Sequence, residues 1–296
     1  MWPCRARAAS PRSQPRSSRA VPNASAAISS GAPSRPDRRA RKLRQALRPV
    51  VVPTLAVIAL FVVWEFVVRA FGIPEYILPA PTAIYAATME AWEVMLRHTG
   101  STLTTILLGF VISIIVSLPL AVLVTSSPNV AHAVYPILVL IQSIPKVALA
   151  PILVLALGAG EASRVTVTFL VAFFPLVIST ATGLLAAPPE LIELSRSLRA
   201  SRFQQLFLVR LPYSVPFVFS GLKLAMTFSV VGAVVGEFVA ADQGLGYQIM
   251  SATAFFRTSL AFGALLILSF LGIVLFQAVV VVERVFFPWA AQEERA

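Results

Sequence analysis

Few residues in this sequence have the types and spacings that could make or break bonds. Its two histidines, His98 and His132, belong to no H-E-x-x-H pair, and no G-x-S-x-G elbow is present. Neither a zinc hydrolase nor a serine nucleophile is therefore signalled. No G-x-x-x-x-G-K-[ST] loop exists to cradle nucleotide phosphates, so an ATP-driven step would need a partner. We identify no catalytic residue, metal ligand or cofactor site. What remains is a set of ionisable residues inside apolar stretches: Glu65, Lys146, Lys223 and Glu237. A charge at membrane depth is costly, which makes function its default explanation. Lys146, flanked by Pro145 and Pro151, is a candidate pathway residue, because a helix broken there would turn backbone groups toward a cavity. Snorkelling to an interface is the competing reading. Glu237 is a candidate gate or the site of a structural hydrogen bond, and Glu65 marks a protein-facing side of its helix.

A second group of residues has the design of a docking element. Residues 188–212 read PPELIELSRSLRASRFQQLFLVRLP. Pro188 and Pro189 suit a helix start, Glu190 and Glu193 sit in its first turn, and Arg196 and Arg199 follow, in keeping with the helix dipole. Leu191, Leu194 and Leu198 share one face at i, i+3 and i+7, while Glu193, Arg196 and Ser197 lie away from it. Periodicity alone leaves two readings open, a helix lying on the lipid surface or one that docks a partner.

The elements that must position these residues are membrane helices. Hydrophobic residues make up 57% of the 296 and charged ones only 12%, with a mean hydropathy of +0.83. Water-exposed faces need more charge, whereas lipid accepts apolar residues all round a helix whose backbone groups pair internally. Six apolar runs approach the ~20 residues that a bilayer core requires. They cover residues 50–69, 102–125, 133–157, 164–187, 215–240 and 260–285, and predict an all-α integral membrane protein of about six transmembrane helices. Residues 1–45 form a basic tail expected to be disordered, 50–69 the first transmembrane helix, 70–100 an external segment, and 101–290 a core that carries the 188–212 loop.

Charge placement orients the helices. Residues 1–50 hold eleven Arg and Lys42 against Asp37 alone, which accounts for the whole net charge of +11. The positive-inside rule puts that end in the cytoplasm. Parity then puts the loop after the fourth run on the same side, and that loop carries Arg196, Arg199, Arg202 and Arg210. The C-terminus falls inside too. The tail lacks aromatic interleaving, so no nucleic-acid partner is expected. It also lacks a signal peptide's apolar core and a transit peptide's amphipathic repeat, and a start codon assigned too far upstream explains it as plainly. Cys4 is the sole cysteine, which excludes an intramolecular disulfide.

The 188–212 segment resembles the cytoplasmic coupling motif of binding-protein-dependent ABC transporter permeases: Glu-Ala-Ala, three residues, Gly, nine residues, Ile-x-Leu-Pro. Here Glu193, Leu194 and Ser195 hold the triplet, Arg199 the Gly position, Val209 the Ile position, and Leu211 and Pro212 the end. Leu and Ser replace the two Ala, and Arg replaces the Gly. If that Gly has positive φ, Arg199 costs about 1 kcal/mol or forces another turn, with Ala200 and Ser201 at hand to take up the bend. Further blocks resemble the nitrate, sulfonate and taurine-type branch of this inner-membrane component family: IPEYILPAPTAI at 73–84, IQSIPKVALAPILVLALGAGE at 141–161, GEF at 236–238 and GLGYQI at 244–249.

The resemblance implies a type I importer permease in a bacterial inner membrane, probed for coupling at Glu193, Leu194, Ser195, Leu198, Arg199, Val209, Leu211 and Pro212. It implies an ABC ATPase subunit, an external solute-binding protein and a second permease copy as partners, with lipid around them. The solute would be a sulfonate, nitrate, taurine, or a vitamin or its precursor. An ion-gradient-driven secondary transporter is the alternative for six helices, but it would carry paired interrupted helices, and IPKVALAP has no counterpart in the second half. Gly232 and Gly236 form a G-x-x-x-G spacing that suggests an intersubunit face.

Overall fold

The computed structural model describes residues 38–289, and every regular element among them is helical. In chain order these are α1 (Arg38–Ala70), α2 (Pro81–Glu90), α3 (Trp92–Thr125), α4 (Pro128–Gln142), a 3₁₀ turn (Lys146–Leu149), α5 (Ala150–Leu157), α6 (Glu161–Leu185), α7 (Pro189–Ser197), α8 (Arg202–Gln205), a π turn (Leu206–Arg210), α9 (Leu211–Ala240), α10 (Leu245–Ala254) and α11 (Thr258–Phe286). Contacts divide the chain into two units whose boundary falls between Ala56 and Val57, inside α1. The first unit contributes the opening of α1, and the helices from Val57 onward pack among themselves.

Five helical stretches are long and apolar enough to cross a membrane: Val51–Ala70, Trp92–Thr125, Glu161–Leu185, Arg202–Val239 and Thr258–Phe286. Asn129–Gln142 and Lys146–Leu157 are apolar enough only when taken together, and they meet at a 75° bend, the geometry of a broken span or a re-entrant loop. The expected single run at 133–157 is therefore two short helices. The physical reason is Pro145, which restricts the residue before it and cannot donate to a continuing helix.

Two other boundaries differ from expectation. Helix α1 begins at Arg38, so the last residues of the expected tail at 1–45 are helical, while residues 1–37 lie outside the described part. Within the segment at 70–100 lie α2 and the first turns of α3, which begins ten residues before the apolar run at Thr102. Those turns are helical because one face is buried at Met95 and His98. Pro81 opens α2, whose Thr82 N–H donates to Glu65 Oε2 at 3.1 Å and whose Thr82 hydroxyl donates to Oε1 at 2.9 Å. Glu65 thus caps a neighbouring helix and pairs with Arg69 one turn on, at 2.5 Å.

Helix α6 is the centre of the packing, set against α9 on one side and α3 on the other. Small residues let the backbones approach closely. A Cβ at Gly232 would lie 2.8 Å from Thr168 Cα, and one at Gly236 would lie 3.0 Å from Arg164 Cα. The G-x-x-x-G pair is therefore spent on α6 of the same chain, which corrects its reading as an intersubunit face. Across α3 and α6, Ser113 and Ser117 donate to the carbonyls of Phe169 and Phe173, both at 3.2 Å. An apolar cluster including Ile106, Ala172, Leu176, Phe219 and Met226 fills the space between the three helices.

Candidate functional site

The docking-loop residues and Glu237 fall at the two ends of the packed helices, whereas Lys146 and Lys223 lie between them. At one end, α7, α8 and the π turn join α6 to α9. The joint between α7 and α8 is a Schellman closure: Arg199 N–H donates to Arg196 O at 2.8 Å and Ala200 N–H to Ser195 O at 2.9 Å. Arg199 itself has φ 57°, so the turn that a Gly would favour is kept and Arg199 takes the left-handed conformation. Ser201 then starts α8 with a capping box, its Oγ accepting from Gln204 N–H at 3.2 Å while Gln204 Oε1 accepts from Ser201 N–H at 2.8 Å.

Leu194, Ser195, Leu198, Val209 and Pro212 line one groove of about 500 Å³, with Leu191 beside them. Leu198 is 74% exposed and Leu194 56%, so the apolar face of α7 is open to a partner. Glu193 is exposed outside the groove. Leu211 instead packs inward against Ala121, Ala181 and Leu184. Arg210 donates to Thr125 O at 3.1 Å, which ties the start of α9 to the last turn of α3. The π turn preceding α9 is a geometry that recurs at functional positions and marks the joint between loop and span.

At the opposite end Glu237 is 1% exposed and fully engaged. Thr102 Oγ1 donates to Oε1 at 2.8 Å, and Gly246 N–H donates to Oε2 at 2.7 Å. Thr102 in turn accepts from Leu245 N–H at 2.7 Å, and Gly244 N–H donates to His98 Nδ1 at 2.9 Å. The carboxylate therefore accepts an amide from the first turn of α10, where the helix dipole also favours it. Gly244 has φ 119°, and a Cβ there would run into the Glu237 carboxyl group. Arg164, 3% exposed, closes the cluster by donating to Gln243 O at 3.0 Å and Ser101 Oγ at 3.2 Å. Glu237 thus ties α3, α9 and α10 together, in the manner of the structural hydrogen bond considered from sequence. His98, Thr102 and Arg164 were missed there; their only signal is that polar side chains occur at i, i+4 spacing in an otherwise apolar helix, or at its start.

Lys146 is half-buried at the bend, donating to Gln142 O at 2.7 Å with its ammonium 4.9 Å from the Phe174 ring centroid. Lys223 and Glu283 form an ion pair at 2.9 Å, with side-chain exposures of 12% and 3%.

Comparison with known proteins accords with this geometry. The family model described as "Binding-protein-dependent transport system inner membrane component" matches residues 114–290, which include the bent helix pair α4–α5, the α7–α8 loop, Arg164, Glu237 and the start of α10. The formylaminopyrimidine transport permease protein ThiX of Halalkalibacterium halodurans is 36% identical over 81% of this chain and 96% of its own. The riboflavin transport system permease protein RibX of Chloroflexus aurantiacus is 34% identical over 86% of this chain and 95% of its own. The taurine transport system permease protein TauC of Escherichia coli is 28% identical over 80% and 88%. Among solved structures, an inward-facing form of the MetNI methionine ABC transporter superposes with a TM-score of 0.52 at 22% identity, covering 64% of this chain and 98% of its own, a likeness of fold.

Proposed function

Since the chain belongs to the binding-protein-dependent transport system inner membrane component family, we propose that its α7–α8 loop is the joint through which a separate ATPase moves the membrane helices. The chain is a membrane-spanning permease subunit of an ATP-driven importer, working with an ATPase and a solute-binding protein. The observation that carries the coupling proposal is the exposed apolar face of α7, where Leu194 and Leu198 line a groove with Val209 and Pro212. A soluble partner that covers this face buries area that otherwise meets water, at about 25 cal/mol per Å². Closure of the ATPase pair would then displace α7, and the Schellman turn at Arg199 would pass the motion to α8, the π turn and α9. Arg210 would carry it to α3 through Thr125 O. This gives one element that the ATPase and the pathway both bias, as coupling requires.

At the other end, Glu237 acts as a latch: opening there requires the bonds from Thr102 and Gly246 to break. Lys146 lines the pathway at the bend between α4 and α5, and a second copy of the chain completes that pathway. The apolar side chains left exposed on α4 and α5, among them Leu140 and Leu155, support a facing copy or lipid there. The N-terminal end and the α7–α8 loop face the cytoplasm of a bacterial inner membrane, in line with the four arginines of the loop. The solute is a small nitrogen heterocycle of the vitamin or vitamin-precursor class, a reading supported by the names of two relatives at 36% and 34% identity.

The test is uptake in cells that carry the complete transporter with Glu193 and Leu194 both replaced by Arg. Transport falls to background while the subunit still inserts. Unchanged uptake contradicts the coupling assignment.

A further inference from the structure

We infer that the inner side of the α7–α8 loop, away from the leucine groove, is a phosphate-binding pocket occupied by the headgroup of an anionic phospholipid. A cavity of about 460 Å³ opens between this loop and the turn from α3 to α4. Three guanidinium groups line it, those of Arg196, Arg202 and Arg210, and no carboxylate does. Arg196 and Arg202 are exposed and take part in neither of the ion pairs present among the described residues. Arg210 is half-buried and already held by Thr125 O. Three like charges around one cavity repel each other unless an anion lies between them, and planar guanidinium groups bind phosphate oxygens in pairs.

The remaining walls indicate the source of that phosphate. Ser127 adds a hydroxyl to the lining, while Val122, Phe203 and Leu206 supply an apolar wall. A free phosphate uses only the first; a lipid uses both, its phosphate on the arginines and its chain along the wall. The cavity also sits at the turn from α3 to α4, just past the end of the apolar stretch Trp92–Thr125. Basic pockets between membrane helices on the cytoplasmic side hold anionic headgroups in this way. The placement rests on the cytoplasmic orientation proposed above. The leucine groove and this cavity share no α7 residue, since Leu191, Leu194, Ser195 and Leu198 line the one and Arg196 the other. An ATPase on the first face therefore leaves the second free, and the bound lipid braces the joint from inside.

The test uses the full chain with its ATPase in nanodiscs of phosphatidylcholine with phosphatidylglycerol, followed by detergent extraction and mass spectrometry of retained lipid. The wild type retains phosphatidylglycerol in preference to phosphatidylcholine, and Arg196→Gln with Arg202→Gln lowers that retention by about thirtyfold, from the contribution of two arginines near a membrane surface. Arg210 is left in place because of its bond to α3. Equal retention by the variant overturns the inference. Protection against thermal unfolding by inorganic phosphate alone, with none from phosphatidylglycerol, overturns the lipid assignment in favour of a soluble anion. Capture of the ATPase is read in the same preparation: a wild type that retains phosphatidylglycerol preferentially but captures no ATPase counts against the coupling reading alone.

Discussion

Arg199 shows how a single residue can depart from a motif and leave its geometry in place. The left-handed conformation at φ 57° costs a non-glycine residue about 1 kcal/mol, and the two Schellman hydrogen bonds with the capping box at Ser201 hold it there. Arg199→Gly therefore raises the stability of the detergent-solubilised protein by about that amount while ATPase capture is kept, and thermal unfolding checks this. Arg199→Val shifts the midpoint the other way. Glu237 makes the converse point, because its partners depend on it. Glu237→Ala leaves the Gly246 N–H and the Thr102 hydroxyl without their buried acceptor and costs about 2 kcal/mol; a variant that unfolds with the wild type would remove Glu237 as a tie between α3, α9 and α10. The carboxylate itself stood out in the sequence as a charge in an apolar run. Its partners did not, since Thr102 and the Gly246 amide lie 135 and nine residues away and no local pattern joins them.

At the scale of elements, five of the six apolar runs correspond to single helices, because length and lipid-compatible composition are local properties. The sixth differs through one residue type, Pro145, and the sequence signal for a break was present in IPKVALAP. The destination of Gly232 and Gly236 was not legible: a small-residue pair states that a helix comes close but not which one. Placing both glycines against α6 makes a firm prediction. Gly232→Leu forces a side chain into the Thr168 backbone and lowers stability by about 1–3 kcal/mol, whereas a dimer contact would leave the unfolding of the monomer unchanged. The Lys223–Glu283 pair between α9 and α11 is a second test of element packing. Lys223→Met alone strands a buried carboxylate and destabilises by about 3–5 kcal/mol, and adding Glu283→Leu restores much of the loss, as scanning unfolding of the two variants will read.

For the whole molecule, the two sites lie within the helices from Val57 onward, at opposite ends of α6. One end carries an open leucine face beside a bent joint, and the other a closed carboxylate tie. Family membership assigns the chain to an importer whose energy comes from a partner, and the α7–α8 loop, with its exposed leucine groove, is the surface we propose to receive it. The most direct measurement is ATP hydrolysis by the purified complex, reconstituted in lipid with and without the solute-binding protein, for the wild type and for Leu194→Arg. The account predicts hydrolysis that the loaded binding protein stimulates, and loss of that stimulation in the variant together with loss of ATPase capture. A variant that captures the ATPase and responds to the binding protein as the wild type does would contradict it.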